Sequence, residues 1–217
     1  MFQLDIIFEL KDLEIFKSKY ATIVVAKPTL VVENTGRKTS TVVWQLITPF
    51  EANLIEFDEV LGVYAAKETT RYDVVDVLTK TKTPSLPNQL YTLTNNGEIT
   101  ITNPTESEAA SYSGYAFKNN YSHEPSMTMG LYQSAIVNGS TIKNNIISAN
   151  TAVFKSVMLM IPSTNLTIWT NVESLKTNEI IDIKEISAIP TVIEFDKNSS
   201  RRVCKYNAQL NTFVLVT

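Results

Sequence analysis

The sequence predicts an all-β fold. Apolar and polar residues alternate with period two along most of the chain. The alternating segments are short and evenly spaced, with turn residues between them, and no helical stripe of useful length interrupts them. Together these features predict an antiparallel β-sandwich of the jelly-roll or lectin-like kind.

The first segment sets the pattern. Phe2, Leu4, Ile6, Phe8 and Leu10 share one face, and Gln3, Asp5 and Glu9 the other, as in a half-buried strand. Further strands are expected at about 20–26, 29–34, 39–47, 52–57, 61–66, 72–80, 89–94, 98–102, 112–118, 126–137, 153–161, 165–172, 179–186, 191–195, 202–207 and 212–217. DLEIFKSK, residues 12–19, offers at most one helical turn. ANLIEFDEV (52–60) and NEIIDIKEI (178–186) look alike, and each follows a tryptophan at a similar distance. This raises the option of two related β units, although any two amphipathic strands share such a pattern. The 217 residues fit one all-β domain. An internal boundary, if there is one, falls near 103–111, where NPTESEAAS has no periodicity.

One hairpin can be read in register. Leu90–Thr94 and Glu98–Ile101 flank Asn95-Asn96-Gly97. A three-residue loop sets Leu93 opposite Ile99 and Tyr91 opposite Ile101, keeping the apolar residues on one face. It also puts Gly97 where the backbone must turn left-handed.

YAFKNNYSHEPSMTMGLY, residues 115–132, crowds aromatic residues, methionines and the sole histidine together. Parity predicts a hairpin that buries Tyr115 and Phe117 on one strand and Met127, Met129 and Leu131 on the other. Tyr121 and His123 fall in the loop between, and Tyr132 falls on the polar face. A core does not explain these three.

The two tryptophans separate by the same test. Trp44 is in phase with Val42 and Leu46 and is expected in the core. In NLTIWTNV, Leu166, Ile168 and Val172 take one face, while Trp169 sits with Asn165, Thr167 and Asn171 on the other. Two readings follow. Either a neighbouring loop or sheet covers Trp169, as for most large apolar side chains, or it is an exposed platform flanked by amides and hydroxyls. The second arrangement suits a sugar ring or a lipid headgroup boundary.

Much chemistry is missing. A net charge of −3 and a pI near 5.3 argue against a nucleic-acid partner, which needs clustered Lys and Arg. With one histidine and one cysteine, no metal site or cofactor is expected. Cys204 is in phase with Tyr206 and reads as a small core residue. No serine sits in a nucleophile elbow, and six glycines form no phosphate loop. No catalytic residue is assigned, so an enzyme is not the favoured reading. No apolar run reaches the roughly 18 residues of a membrane span, and the N-terminus lacks a signal-peptide pattern. The location expected is cytoplasmic, and a leader removed before the first residue would leave no trace.

Three functional expectations remain. The first is a non-enzymatic binding module for glycan or lipid headgroup, using Trp169, Asn165, Thr167, Asn171, Tyr121, His123 and Tyr132. The second is a self-associating structural, storage or coat-type protein, with exposed aromatics at contacts between copies. The third is a glycoside-type hydrolase on the same scaffold.

Overall fold

The computed structural model describes residues 1–33, 36–102, 114–195 and 199–216. It is 57% strand and 4% helix, an all-β fold of open, mainly antiparallel sheets. In chain order the elements are β1 (Phe2–Ile7), α1 (Leu10–Ser18), β2 (Thr22–Ala26), β3 (Thr29–Glu33), β4 (Gly36–Ser40), β5 (Val43–Ile47), β6 (Ala52–Phe57), β7 (Leu61–Lys67), β8 (Val77–Lys80) and β9 (Gln89–Leu93). There follow β10 (Ile99–Thr102), β11 (Tyr115–Asn119), β12 (Ser126–Val137), β13 (Ser140–Val153), β14 (Val157–Pro162), β15 (Leu166–Asn171), β16 (Thr191–Ile193), β17 (Arg201–Asn207) and β18 (Thr212–Val216). The candidate boundary at 103–111 lies outside the described residues.

Three sheets form. The largest runs β18-β17-β1-β6-β12-β7-β8, with β13 paired along β12. The second runs β10-β9-β11-β14-β3-β4, and the third β16-β15-β2-β5. Two pairings, β1 with β17 and β11 with β9, are parallel. All three sheets contribute to one main core: Leu4, Ile6 and Ile55 from the first, Tyr91 and Phe117 from the second, Ile23 and Ile168 from the third.

The predicted hairpin of β9 and β10 forms in the expected register, with Ile99 opposite Leu93 and Ile101 opposite Tyr91. Gly97 turns left-handed at φ +78°. Burial is one-sided: Tyr91 and Leu93 are buried, while Ile101 is exposed because β10 ends the sheet.

Tyr115, Phe117, Met127, Met129 and Leu131 are all buried, as parity requires. The hairpin expected to join them does not exist. β11 pairs with β9 and β14, whereas β12 pairs with β6, β7 and β13 in another sheet. The apolar faces belong to different sheets and meet in the shared core.

Trp44 is fully buried in that core and its indole N–H donates to the Gln133 carbonyl at 3.3 Å. The register of β2 and β5 goes from Val25 opposite Gln45 to Ala26 opposite Val43, leaving Trp44 as the extra residue of a bulge. A bulge of this sort re-aims a side chain. Its expected phase-mates Val42 and Leu46 pack into other clusters.

The two look-alike stretches differ. Residues 52–57 are β6, but 178–186 has only isolated bridges at Glu179 and Ile180, followed by turns. The sequence likeness does not extend to structure.

Candidate functional site

The third sheet is covered on both sides, and this decides where Trp169 goes. Leu166 and Ile168 point into the main core. On the opposite face, Trp169 stands opposite Val24, which stands opposite Leu46. With Ala26, Val43 and Ile181 these residues form a separate apolar cluster, closed by Leu175, Ile186 and Ala188. The cover is the strap between β15 and β16, residues 172–190.

The strap is fastened by backbone bonds. Glu179 and Asn178 exchange hydrogen bonds with Val43 at 2.9 and 2.8 Å, and the Ile181 N–H donates to the Thr41 carbonyl at 3.1 Å. The Tyr72 and Val75 N–H groups donate to Ile180 and Asn178. Asn178, at φ +68°, also accepts the Ile146 N–H through its side chain at 2.8 Å. Beyond this seam a charged clasp holds the strap. Arg71 pairs with Glu185 at 2.7 Å and Asp182 at 3.1 Å, and the Tyr72 hydroxyl donates to Glu185. The Glu185 charge raises the Arg71 pKa, and the hydrogen bond to Glu185 raises that of Tyr72.

Trp169 is therefore not an exposed platform. It is 0% exposed. The residue nevertheless borders a pocket of about 220 Å³ under the strap, together with Tyr72, Asn171, Leu175, Ile181, Asp182, Glu185 and Ile186. The indole N–H has no hydrogen-bond partner and no solvent contact. A buried donor left unpaired costs about 1–3 kcal/mol. Such groups are rare in native proteins, and each calls for a reason.

The other residues singled out from sequence scatter. Thr167 and Tyr132 are buried, at 2% and 3% exposure, which overturns the polar-face reading of both. Tyr132 packs in the cluster on the outer face of β7, β12 and β13, and its hydroxyl donates to the Thr81 carbonyl at 2.6 Å. Asn165 receives the Phe195 N–H at 3.3 Å and lies outside the pocket lining. Asn171 does line it, with its amide donating to the Glu173 carbonyl at 2.7 Å. Tyr121 and His123 contact each other edge to face at 5.0 Å, in the loop after β11, and neither lines the pocket. Of the seven residues, Trp169 and Asn171 share the site.

Sequence reading missed Tyr72, Asp182 and Glu185. They come from two segments distant in the chain, and no local pattern announces their meeting. It also missed Lys27, which is 2% exposed between β2 and β3. The signal was there: IVVAKPTLVV sets one lysine amid apolar residues on both sides.

Among the described residues, no group of three or more His, Cys, Asp or Glu side chains is placed to hold a metal ion. Nor is any helix among them long and apolar enough to cross a membrane. Comparison with protein-family models, curated proteins and solved structures finds no match to the chain.

Proposed function

We propose that the protein is a non-enzymatic binding module that takes a single sugar ring or similar small polyol in the pocket under the strap. The observation that supports this is Trp169: a fully buried indole with an unpaired N–H, lining a cavity. A small shift of the strap would bring that N–H to a ligand hydroxyl, and the ring would cover the ligand's apolar face. Asp182, Glu185, Asn171 and Tyr72 border the pocket, and the carboxylate lone pairs left over from the clasp can accept the remaining hydroxyls. The volume is below the roughly 300–1,000 Å³ of drug-sized sites, which limits the ligand to one ring.

Charge favours sugar over lipid headgroup. Glu173, Asp182 and Glu185 line the pocket, and Arg71, paired with the last two, offsets only one of the three charges. A phosphate would meet like charges there. The test is calorimetric titration with a panel of neutral monosaccharides and with phosphocholine, on the wild type and on Trp169→Phe, which keeps a ring and removes the donor. Binding of a monosaccharide that weakens about tenfold in Trp169→Phe supports the reading. Binding that is indifferent to this change defeats it.

Self-association is favoured by a separate observation. β18 ends the largest sheet, and Val214, Leu215 and Val216 are all exposed on it. An apolar edge strand is a template for pairing with another chain. A solution mass that rises with concentration in the wild type, and stays that of one chain in Val214→Lys, would support this reading.

A further inference from the structure

We propose that Lys27 is a covalent site for short aliphatic aldehydes, which it captures as an imine inside a pocket between the first two sheets. The pocket, of about 300 Å³, is lined by Lys27, Glu59, Leu61, Tyr115, Ile161 and Ser163, with two prolines beside them. It is separate from the cavity under the strap and shares no residue with it.

The environment of Lys27 is unusual for a lysine. The residue is almost wholly buried and forms no ion pair among the described residues. Its Nζ donates to Gln133 Oε1 at 2.9 Å and lies 4.8 Å from the centre of the Phe57 ring, two residues that do not line the pocket, so capture requires that single bond to open. One amide oxygen and one ring face are weak compensation for a buried ammonium, which has three donors to satisfy. A lysine kept only for structure would be expected to carry a carboxylate partner or to reach solvent. Burial lowers its pKa to about 8, against a partial pull upward from Glu59. Near neutral pH an appreciable share of the side chain is therefore the free amine, the nucleophilic form.

The chemistry needs no further reagent. The amine lone pair forms a C–N bond to the aldehyde carbon as the carbonyl π pair moves to oxygen. One nitrogen proton passes to that oxygen, and the second leaves with the resulting hydroxyl as water, so the C=N bond remains. No oxidant or reductant is consumed. The apolar walls, Leu61, Ile161 and the prolines, suit an alkyl tail, and Glu59 disfavours an anionic one.

The test uses the full chain, butanal and cyanoborohydride, which fixes each imine as a secondary amine. Peptide mass mapping then separates Lys27 from every other amine, Met1 included. At pH 7.5 Lys27 is expected to be labelled about tenfold faster than exposed lysines such as Lys143 and Lys184. In urea it should fall to their rate. The variant Ser163→Phe, which narrows the pocket, should slow Lys27 alone. Labelling of Lys27 only in urea would overturn the proposal. A native rate no greater than that of Lys143, or a rate unchanged by Ser163→Phe, would overturn it equally.

Discussion

Trp169 stands opposite Val24 in the register of β15 and β2, and both are fully buried on the face of the third sheet that points away from the main core. Ile168, one residue earlier, is buried on the other face. The strand is thus apolar on two sides, and its two faces answer to different partners. Ile168→Ala should cost about 2–5 kcal/mol through the cavity it leaves in the main core. Trp169→Ala should also destabilise, by about 3 kcal/mol, at the low end for a buried aromatic because its unpaired N–H is removed with it. Urea midpoints of both variants check this. A near-wild-type midpoint for Trp169→Ala would mean the strap does not cover the ring in solution.

Gly62 is required by Tyr132. A Cβ added at Gly62 would lie 2.0 Å from Tyr132 Cζ. Gly62→Ala should force the ring from its place and lose its hydrogen bond to Thr81, costing about 1–3 kcal/mol as overpacking does. In a Tyr132→Ala background the same substitution should cost much less, a coupling that a double-mutant cycle in denaturant measures.

Lys27 should leave a mark on stability against pH. Its folded pKa, about 8, lies below the ordinary value of 10.5. Between those values the unfolded chain holds more protons, so this group's contribution rises with pH through the window from 8 to 10.5. The total is roughly 3 kcal/mol, from about 1.4 kcal/mol per unit. Buried tyrosines and Cys204, with raised pKa values, act in the opposite sense above pH 9. The comparison is therefore wild type against Lys27→Met across pH 7–10.5. A constant difference between the two curves would contradict a lysine buried without a carboxylate partner.

Cys204 is fully buried, and burial pushes its thiol pKa up to about 12, helped by the nearby Asp5 charge. It should resist a thiol reagent in the native state and react promptly in urea. Equal rates in both would show the sheet of β1, β17 and β18 to be open.

Much of the fold was legible because alternation reports burial directly. The faces of Tyr115–Phe117 and Met127–Leu131, the register at Leu93 and Ile99, and the burial of Cys204 all follow from parity and turn chemistry; Trp44 is buried as expected, but through a bulge that parity does not show. Parity says which side is buried, not against what, so strands from two sheets were read as one hairpin. β13 was missed because STIKNNIISANTAV is polar and lacks alternation; long pairing with β12 holds it. The helix Leu10–Ser18 is faint in the sequence because only Leu13 and Phe16 anchor its apolar side and Glu9, its N-cap, makes no side-chain capping bond. Trp169 was placed on a polar face because Asn165, Thr167 and Asn171 surround it in sequence. What buries it is the strap that follows, and most of the candidate site arrives with it.

The most direct test of the binding account is the pair of indole N–H signals in a proton–nitrogen correlation spectrum. The chain has only two tryptophans, and Trp44 is already bonded to Gln133 deep in the core. On titration with the monosaccharide panel, one sugar is expected to move the Trp169 indole signal saturably, downfield as it gains an acceptor, while the Trp44 signal stays in place. A sugar that binds without moving the Trp169 signal, or a panel that leaves both signals unmoved at millimolar concentration, would contradict it.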